Sequence, residues 1–172
     1  MSVISGIVCV DKNWAIGKND AEGKPQLLFK LPEDLKMFKR LTTGMIVVMG
    51  YTTYLSLPKK PLPGRINLVL WDKATSPDVL PGCITFNNFD NLLHFVKILS
   101  KQYHVFVIGG ASVYKLFLPY YDSIAITKVS AEDKDATAFF PNLDELEEFE
   151  LCDNFIAEDN GYIIRFCDYH RK

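Results

Sequence analysis

The sequence predicts an α/β fold in which a single, mostly parallel central β-sheet carries flanking helices and ends in a C-terminal antiparallel hairpin. Apolar runs rich in β-branched residues alternate with segments of helical spacing up to about residue 129, an order typical of parallel strands joined by helices. The alternation then stops, and the stretch from about 149 to 170 places an Asn160-Gly161 pair between two strand-like runs. That dipeptide favours a tight hairpin turn, which adds antiparallel edge strands to the sheet.

Each element follows from its local pattern. The first run, SVISGIVCV, has no basic leader and is too short to span a bilayer, so it is interpreted as a buried first strand. Pro32 can start the first helix, because proline suits the first helical turn. Strands are predicted at residues 3–10, 45–49, 66–71, 83–86, 104–108, 122–129 and, as a hairpin, about 149–170. Helices are predicted at residues 32–43, 51–57, 89–100 and 110–119.

The composition indicates one compact domain spanning residues 1–172. Of the 172 residues, 48% are hydrophobic and 23% are charged. A chain of this size buries about 70% of its unfolded surface, so it can hold both a core and a pocket. The formal net charge of −2 gives no dominant basic footprint, and neither nucleic acid nor an anionic membrane is expected as the main partner. We expect a cytoplasmic monomer that acts on small molecules.

The cysteines and histidines predict neither a metal site nor a redox centre. The cysteines are widely and irregularly spaced, without a CxxC pair, and are expected to be free thiols. The histidines share no metal-ligand spacing and belong to no Ser/His/Asp order. These residues are Cys9, Cys83, Cys152, Cys167, His94, His104 and His170.

One carboxylate lies among apolar residues of the first predicted helix. Asp34, Phe38 and Leu41 fall at i, i+4 and i+7 and share one face, while the basic residues Lys36, Lys39 and Arg40 point elsewhere. A buried acid on this face could serve in catalysis. An acid in a first turn more commonly just complements the helix dipole and the free amides, and the helix alone favours that interpretation.

Two strand-to-helix junctions could bind phosphate. Gly109-Gly110 follows a buried strand and precedes a helix, so backbone amides could approach an anion closely. Gly50 stands at a similar junction, followed by Thr52 and Thr53. Each junction has a simpler explanation: a tight turn for the glycine pair, and a threonine helix cap for the second. Two such junctions in one sheet would suit the two phosphates of a dinucleotide.

An arginine and a long loop complete the candidates. Arg65 follows the turn PLPG at the mouth of a buried strand, where it could clamp a carboxylate through two hydrogen bonds; the alternative is a solvated turn arginine. Residues 11–28 form a polar, glycine-bearing excursion after the first strand. A connection of this length is either functional or disordered.

Taken in order, these segments resemble the dihydrofolate reductase family. The matching motifs are AIGKN at 15–19, LPEDLKMFKRLT at 31–42, VVMG at 47–50, PLPGR at 61–65, VIGGASVY at 107–114 and FFP at 139–141. The match runs from the first strand to about Pro141. It implies an oxidoreductase of one-carbon metabolism and antifolate target, in which hydride passes from NADPH to C6 of dihydrofolate and a proton arrives at N5.

The resemblance also implies roles for individual residues. Asp34 would hold the pterin and favour protonation of N5, Arg65 would hold the α-carboxylate of the substrate's glutamate, and Gly109-Gly110 would be joined by a cis peptide. The implied catalytic residues are Asp34, Phe29 and Thr127. The implied substrate-binding residues are Ile7, Val8, Leu27, Leu35, Phe38, Leu57, Leu62, Arg65 and Ile108. The implied cofactor-binding residues are Cys9, Ile16, Gly17, Gly50, Tyr51, Thr52, Thr53, Leu70, Trp71, Asp72, Gly109, Gly110, Ala111, Ser112, Val113 and Tyr114.

Three features depart from the family pattern. Phe29 stands where a tryptophan usually donates an N–H to an ordered water, so that donor is lost. Tyr51 and the Trp71-Asp72 pair stand where basic groups usually meet the 2′-phosphate of NADPH, which makes NADH an alternative cofactor, with Lys73 as a substitute cation. The loop at 18–28 is about five residues longer than the family pattern. Loops at this place can close over the reacting groups, and the added length leaves undecided whether this one does so.

Two other functions remain compatible with the sequence. A pyrimidine reductase of riboflavin synthesis shares the fold, but Asp34 and the PLPGR motif favour the folate enzyme. A catalytically idle nucleotide-binding module is the alternative from another class.

Overall fold

The computed structural model describes residues 2–71 and 80–172. Within them, no helix is long and apolar enough to cross a membrane. The strands are β1 (Ile4–Val10), β2 (Ala15–Asn19), β3 (Pro25–Gln26), β4 (Ile46–Gly50), β5 (Ile66–Leu70), β6 (Cys83–Phe86), β7 (Val105–Gly109), β8 (Ser123–Val129), β9 (Ala138–Phe139), β10 (Phe149–Asp159) and β11 (Tyr162–Arg171). The helices are α1 (Pro32–Thr42), α2 (Tyr51–Ser56), α3 (Phe89–Leu99) and α4 (Ala111–Phe117), with short 3₁₀ turns at Leu118–Tyr120 and Leu143–Glu145.

Eight strands form the central sheet, in the order β10-β11-β8-β1-β7-β4-β5-β6. The pairings from β8 through β1, β7, β4 and β5 to β6 are parallel. Strand β11 pairs antiparallel with both β8 and β10. The predicted fold class, with its C-terminal antiparallel hairpin, is therefore confirmed.

The turn between β10 and β11 has the conformation that its dipeptide favours. Asn160 has φ 52° and Gly161 has φ 81°, so both lie in the left-handed region that a two-residue type I′ turn requires. Asparagine and glycine adopt this region at little cost. The turn therefore pairs Asp159 with Tyr162.

The core lies on both faces of the sheet, and this explains the continuous apolar strands. Ile46 and Val48 of β4 pack into the larger cluster of buried side chains. Val47 and Met49, which point the opposite way, pack into a second cluster. Because both faces of these parallel strands are covered, the strands show no alternation between apolar and polar residues.

The long loop after β1, residues 11–28, contains two strands that the sequence analysis did not predict. Strands β2 and β3 form a small hairpin, with Lys18 opposite Gln26, and β2 also pairs with β9. The Asp20 carboxylate holds the hairpin turn by accepting the backbone N–H groups of Glu22 and Lys24, at 2.9 and 2.8 Å. These strands are short and mostly polar, so no hydrophobic period marked them.

Candidate active site

A cleft with a volume of about 1120 Å³ opens at the carboxyl ends of the central parallel strands. Residues at the ends of β1, β4, β5 and β7 line it, together with α1, the starts of α2 and α4, and the β2–β3 hairpin. Ligands of open α/β sheets bind at such an edge. The structure brings all of the residues predicted for the site to this cleft except Asp72, which, like Lys73, lies outside the described residues.

Asp34 lies in the first turn of α1 and presents its carboxylate to the cleft. The hydroxyl of Thr127, on β8, donates a 2.6 Å hydrogen bond to its Oδ1. Burial raises the pKa of Asp34 above its usual value, the Thr127 hydrogen bond opposes this rise, and the nearby charge of Asp159 adds to it. The Asp34 carboxylate is thus partly desolvated and is oriented by one hydrogen-bond donor. Acids with such shifted pKa values are common at sites that bind or transfer a proton.

Phe29 forms part of the wall beside this acid. Its ring meets that of Tyr162 edge to face, with centroids 5.0 Å apart. The ring packs against a small apolar cluster that includes Leu31 and Ile164. Since phenylalanine has no polar atom, it contributes shape and desolvation but no hydrogen bond.

Arg65 lies at the far end of the cleft from the glycine junctions. Its Nε donates to the carbonyl of Pro63 at 2.9 Å, and one terminal nitrogen donates to the Thr42 hydroxyl at 3.0 Å. Burial lowers the pKa of Arg65, although arginine stays charged in proteins. Among the described residues, no carboxylate lies within ion-pair distance of it. The guanidinium is thus oriented and can take a ligand carboxylate.

The face of α1 differs from the one that its spacing predicted. Lys39, which the spacing directed elsewhere, lines the cleft, while Leu41 is 37% exposed and does not line it. The long lysine side chain can extend along the helix toward the cleft mouth. Leu35 and Leu27 are 52% and 70% exposed, so both leave apolar surface open to a ligand.

At the two glycine junctions the neighbouring side chains pack too closely to admit a Cβ without moving. A Cβ built on Gly50 would lie 3.1 Å from Val113, and one on Gly110 would lie 3.3 Å from the Thr53 hydroxyl. Gly109 has φ 125°, and its peptide bond to Gly110 is cis, as the resemblance implies. Gly50 and Gly110 are the N-cap residues of α2 and α4, and neither helix has a side-chain cap. The simpler explanation for the second junction, a threonine cap, is therefore wrong.

Tyr114 joins the Gly109-Gly110 junction to the central strand β1. Its hydroxyl donates a 2.7 Å hydrogen bond to the carbonyl of Ile7, and its own carbonyl accepts from Tyr121 at 3.0 Å. Burial raises its pKa well above the usual value, so Tyr114 stays neutral. Its buried hydrogen bond to Ile7 therefore links α4 to β1.

Two stacked aromatic rings stand at positions for which the resemblance implies basic groups. The rings of Tyr51 and Trp71 are stacked, with centroids 3.9 Å apart and planes 4° apart. The indole Nε1 of Trp71 is buried and has no hydrogen-bond partner among the described residues. Both residues line the cleft, so they contribute aromatic surface to it.

Cys9 is a poor candidate for covalent chemistry. It lines the cleft at the end of β1, but burial, aided by the charges of Asp34, Asp11 and Asp159, raises the pKa of its thiol far above the usual value. The thiolate is the reactive form. Cys9 therefore acts as a small apolar wall residue.

Sequence reasoning missed one acid near Asp34. Asp159, at the end of β10, is only 3% exposed, and its Oδ2 accepts the backbone N–H of Asp34 at 3.0 Å. The two residues are 125 positions apart, and no local motif connects them. The only available signal was that the predicted hairpin turn directly follows Asp159.

Comparisons with known proteins point to one family. A family model described as dihydrofolate reductase matches residues 3–171. The chain is 33% identical to the dihydrofolate reductase of Haemophilus influenzae over 172 residues, covering 96% of this chain and 97% of that protein. It is 33% identical to that of Bacillus subtilis over 174 residues, covering 99% and 95%. The solved structure of the Enterococcus faecalis dihydrofolate reductase complexed with NADP(H) and RAB-propyl matches with a TM-score of 0.82 at 26% identity, covering 99% of this chain and 96% of that one. This chain belongs to the dihydrofolate reductase family.

Proposed function

We propose that Asp34 is the central catalytic residue of this chain, which reduces 7,8-dihydrofolate to 5,6,7,8-tetrahydrofolate with NADPH. The observation that carries the proposal is the partly desolvated Asp34 carboxylate, held by Thr127 at 2.6 Å inside the cleft. Among the residues lining the cleft, Asp34 is the sole carboxylate in the part of the chain that the structure describes.

The proposed role of Asp34 is to bind the pterin and to favour a proton on N5. Its carboxylate can accept hydrogen bonds from the amino group and a ring nitrogen of the pterin. Its negative charge in a partly desolvated site makes protonation of the substrate more favourable. Thr127 fixes one carboxylate oxygen, so that the other faces the ligand. Phe29 closes the wall and limits water.

Arg65 is proposed to bind the α-carboxylate of the substrate's glutamate. Its guanidinium is held by Pro63 and Thr42, so little side-chain freedom is lost when a carboxylate binds. Lys39 at the same end of the cleft adds positive charge. The remaining substrate residues, among them Phe38 and Leu62, are apolar and suit the pterin and benzoyl rings.

The cleft also fits the cofactor. NADPH supplies the hydride that C6 of the substrate receives. The uncapped first turns of α2 and α4 would hold its phosphates through backbone N–H groups. The Tyr51–Trp71 stack would meet the adenosine end. NADH remains the alternative cofactor, because in the sequence Tyr51 and Asp72, the latter outside the described residues, replace basic residues of the family pattern.

We infer that the chain is a cytoplasmic monomer of one domain whose partners are small molecules. Its net charge of −2 supports the small-molecule partners, because nucleic-acid and membrane binding usually require a basic surface.

The test is the absorbance at 340 nm of purified protein with dihydrofolate and either NADPH or NADH. Folate-dependent loss of absorbance, reduced strongly by Asp34→Asn, is the expected result. Faster turnover with NADH would identify the altered adenosine end as the determinant of cofactor choice. Cofactor binding without turnover would favour an idle nucleotide-binding module, and reduction of a ribityl-pyrimidine substrate instead would favour the pyrimidine reductase.

A further inference from the structure

The turn of the C-terminal β10–β11 hairpin contacts the segment from Phe29 to Asp34. Asp159 Oδ2 accepts the backbone N–H of Asp34 at 3.0 Å, and the side-chain amide of Asn160 donates to the carbonyl of Lys30 at 2.9 Å. Tyr162, on the other side of the turn, contacts Phe29 edge to face. Three contacts from one tight turn therefore fix both the approach to α1 and its first turn.

Helix α1 lacks the cap that most helices carry. Its N-cap residue is Leu31, whose side chain cannot accept a hydrogen bond, and no side-chain cap is present at that position. Pro32 has no N–H to satisfy, but the N–H of Asp34, two residues further on, needs an acceptor. Asp159 supplies this acceptor from a distant strand. The Asp159 carboxylate thus accepts a first-turn N–H of α1, as the side chain of an N-cap residue does in other helices.

The capping carboxylate is also a buried charge beside the catalytic acid. Asp159 is 3% exposed, and a negative charge in a medium of low polarity favours protons on its neighbours. We propose that Asp159 is a positioning residue for the reduction: it holds the first turn of α1, and its charge biases the site formed by Asp34 and the pterin toward holding a proton. The proposal rests on the proposed function of Asp34.

The groups that face Asp34 from the neighbouring elements are few. Thr127 faces it from β8, Cys9 from β1, Tyr114 from α4 and Asp159 from β10. The thiol and the phenol stay neutral, because burial raises the pKa of each. On α1 itself, Lys36 pairs with Glu33 at 2.9 Å on the exposed side. Within residues 2–71 and 80–172, Asp159 is thus the charge on the other packed elements that acts on Asp34, and it raises the pKa of that carboxyl.

Two substitutions separate the cap from the charge. Asp159→Asn keeps an oxygen that can accept the Asp34 N–H but removes the charge, whereas Asp159→Ala removes both. Glu158→Gln is the matched control, since it removes an exposed carboxylate from the adjacent position of the same strand. Asp159→Ser provides a second neutral acceptor if the asparagine variant does not fold.

Two readouts are measured for each variant. The first is the titration of the Asp34 side-chain carboxyl carbon by NMR in the free protein, which requires no catalysis. The second is the pH at which the single-turnover rate falls to half its maximum on the alkaline side. For Asp159→Asn both midpoints should move to lower pH with little change in Tm, and Glu158→Gln should leave both unchanged. Asp159→Ala should show the same shift and also lose about 2–4 °C in Tm, the amount expected for one helix cap.

The outcomes separate this proposal from the proposed function. If Asp159→Asn matches the unsubstituted protein in both midpoints, Asp159 is only a structural cap and the proposal is wrong. If Asp34→Asn retains full activity, the assigned role of Asp34 is wrong, whatever the Asp159 variants do. Loss of activity in Asp34→Asn together with unshifted midpoints in Asp159→Asn would therefore reject the positioning role alone.

Discussion

Replacing Thr127 by valine tests the hydrogen bond on which the proposed site depends. Thr127 is 2% exposed, and valine has nearly the same shape, so the substitution removes the 2.6 Å hydrogen bond to Asp34 without leaving a cavity. A hydrogen bond to a charged group contributes about 1.5–3 kcal/mol. For a chain of this length, 1 kcal/mol corresponds to about 2–4 °C in Tm. We therefore expect Thr127→Val to lower the Tm by about 4–8 °C at neutral pH, for a loss of about 2 kcal/mol.

The effect should depend on pH with a defined sign. The Thr127 hydrogen bond lowers the pKa of Asp34, against the larger effect of burial, so its removal raises that pKa further. The folded protein then holds the Asp34 proton up to a higher pH, and the alkaline limit of the reaction moves upward, opposite to the shift expected for Asp159→Asn. The stability loss should be largest where Asp34 is ionised and should shrink as the pH falls and the carboxyl is protonated.

The measurement combines thermal unfolding at neutral and acid pH with a pH profile of kcat/KM. Thr85→Val makes the same chemical change in the edge strand β6, five strands away from β8 in the sheet, and serves as the control. An unchanged Tm together with an unchanged pH profile in Thr127→Val would refute the argument that this hydrogen bond holds the acid.

Three further predictions concern other parts of the cleft. Asp34→Asn should lose roughly 10²-fold or more in rate near neutral pH, with partial recovery on acidification. It should also raise the neutral-pH Tm, because burial raises the pKa of Asp34 and its ionised form therefore costs stability above that pKa; a lower Tm would contradict this. Arg65→Ala should raise the KM for dihydrofolate by about 10- to 100-fold with little change in kcat, as expected for one charged hydrogen-bond pair, and a normal KM would exclude the clamp. Gly109→Ala should cost about 1–3 kcal/mol in chemical denaturation and weaken NADPH binding in fluorescence titrations, since its φ is 125° and the new Cβ would lie 3.2 Å from the Tyr114 ring. Gly23→Ala, also at positive φ but with nothing within 4 Å of the new Cβ, should leave NADPH binding unchanged.

The parts of the fold that could be predicted are those with local patterns. The parallel strands are continuous apolar runs because both of their faces are buried, and Asn160-Gly161 specifies its own turn geometry. The β2–β3 hairpin had no such pattern. Its turn depends on the Asp20 side chain, which binds backbone groups within four residues, and short polar strands give no hydrophobic period.

For the candidate site, the sequence by itself determined which residue types were available and that two strand-to-helix junctions would face the same edge of a parallel sheet. Only the tertiary structure decided that Lys39 lines the cleft, that Tyr51 stacks on Trp71, and that Asp159 caps the helix carrying Asp34. The physical reason is the range of the interactions. Strand, helix and turn preferences depend on neighbours within a few residues, whereas the bond between Asp159 and Asp34 joins residues 125 positions apart and exists only because β11 packs against β8 and brings the hairpin tip to α1.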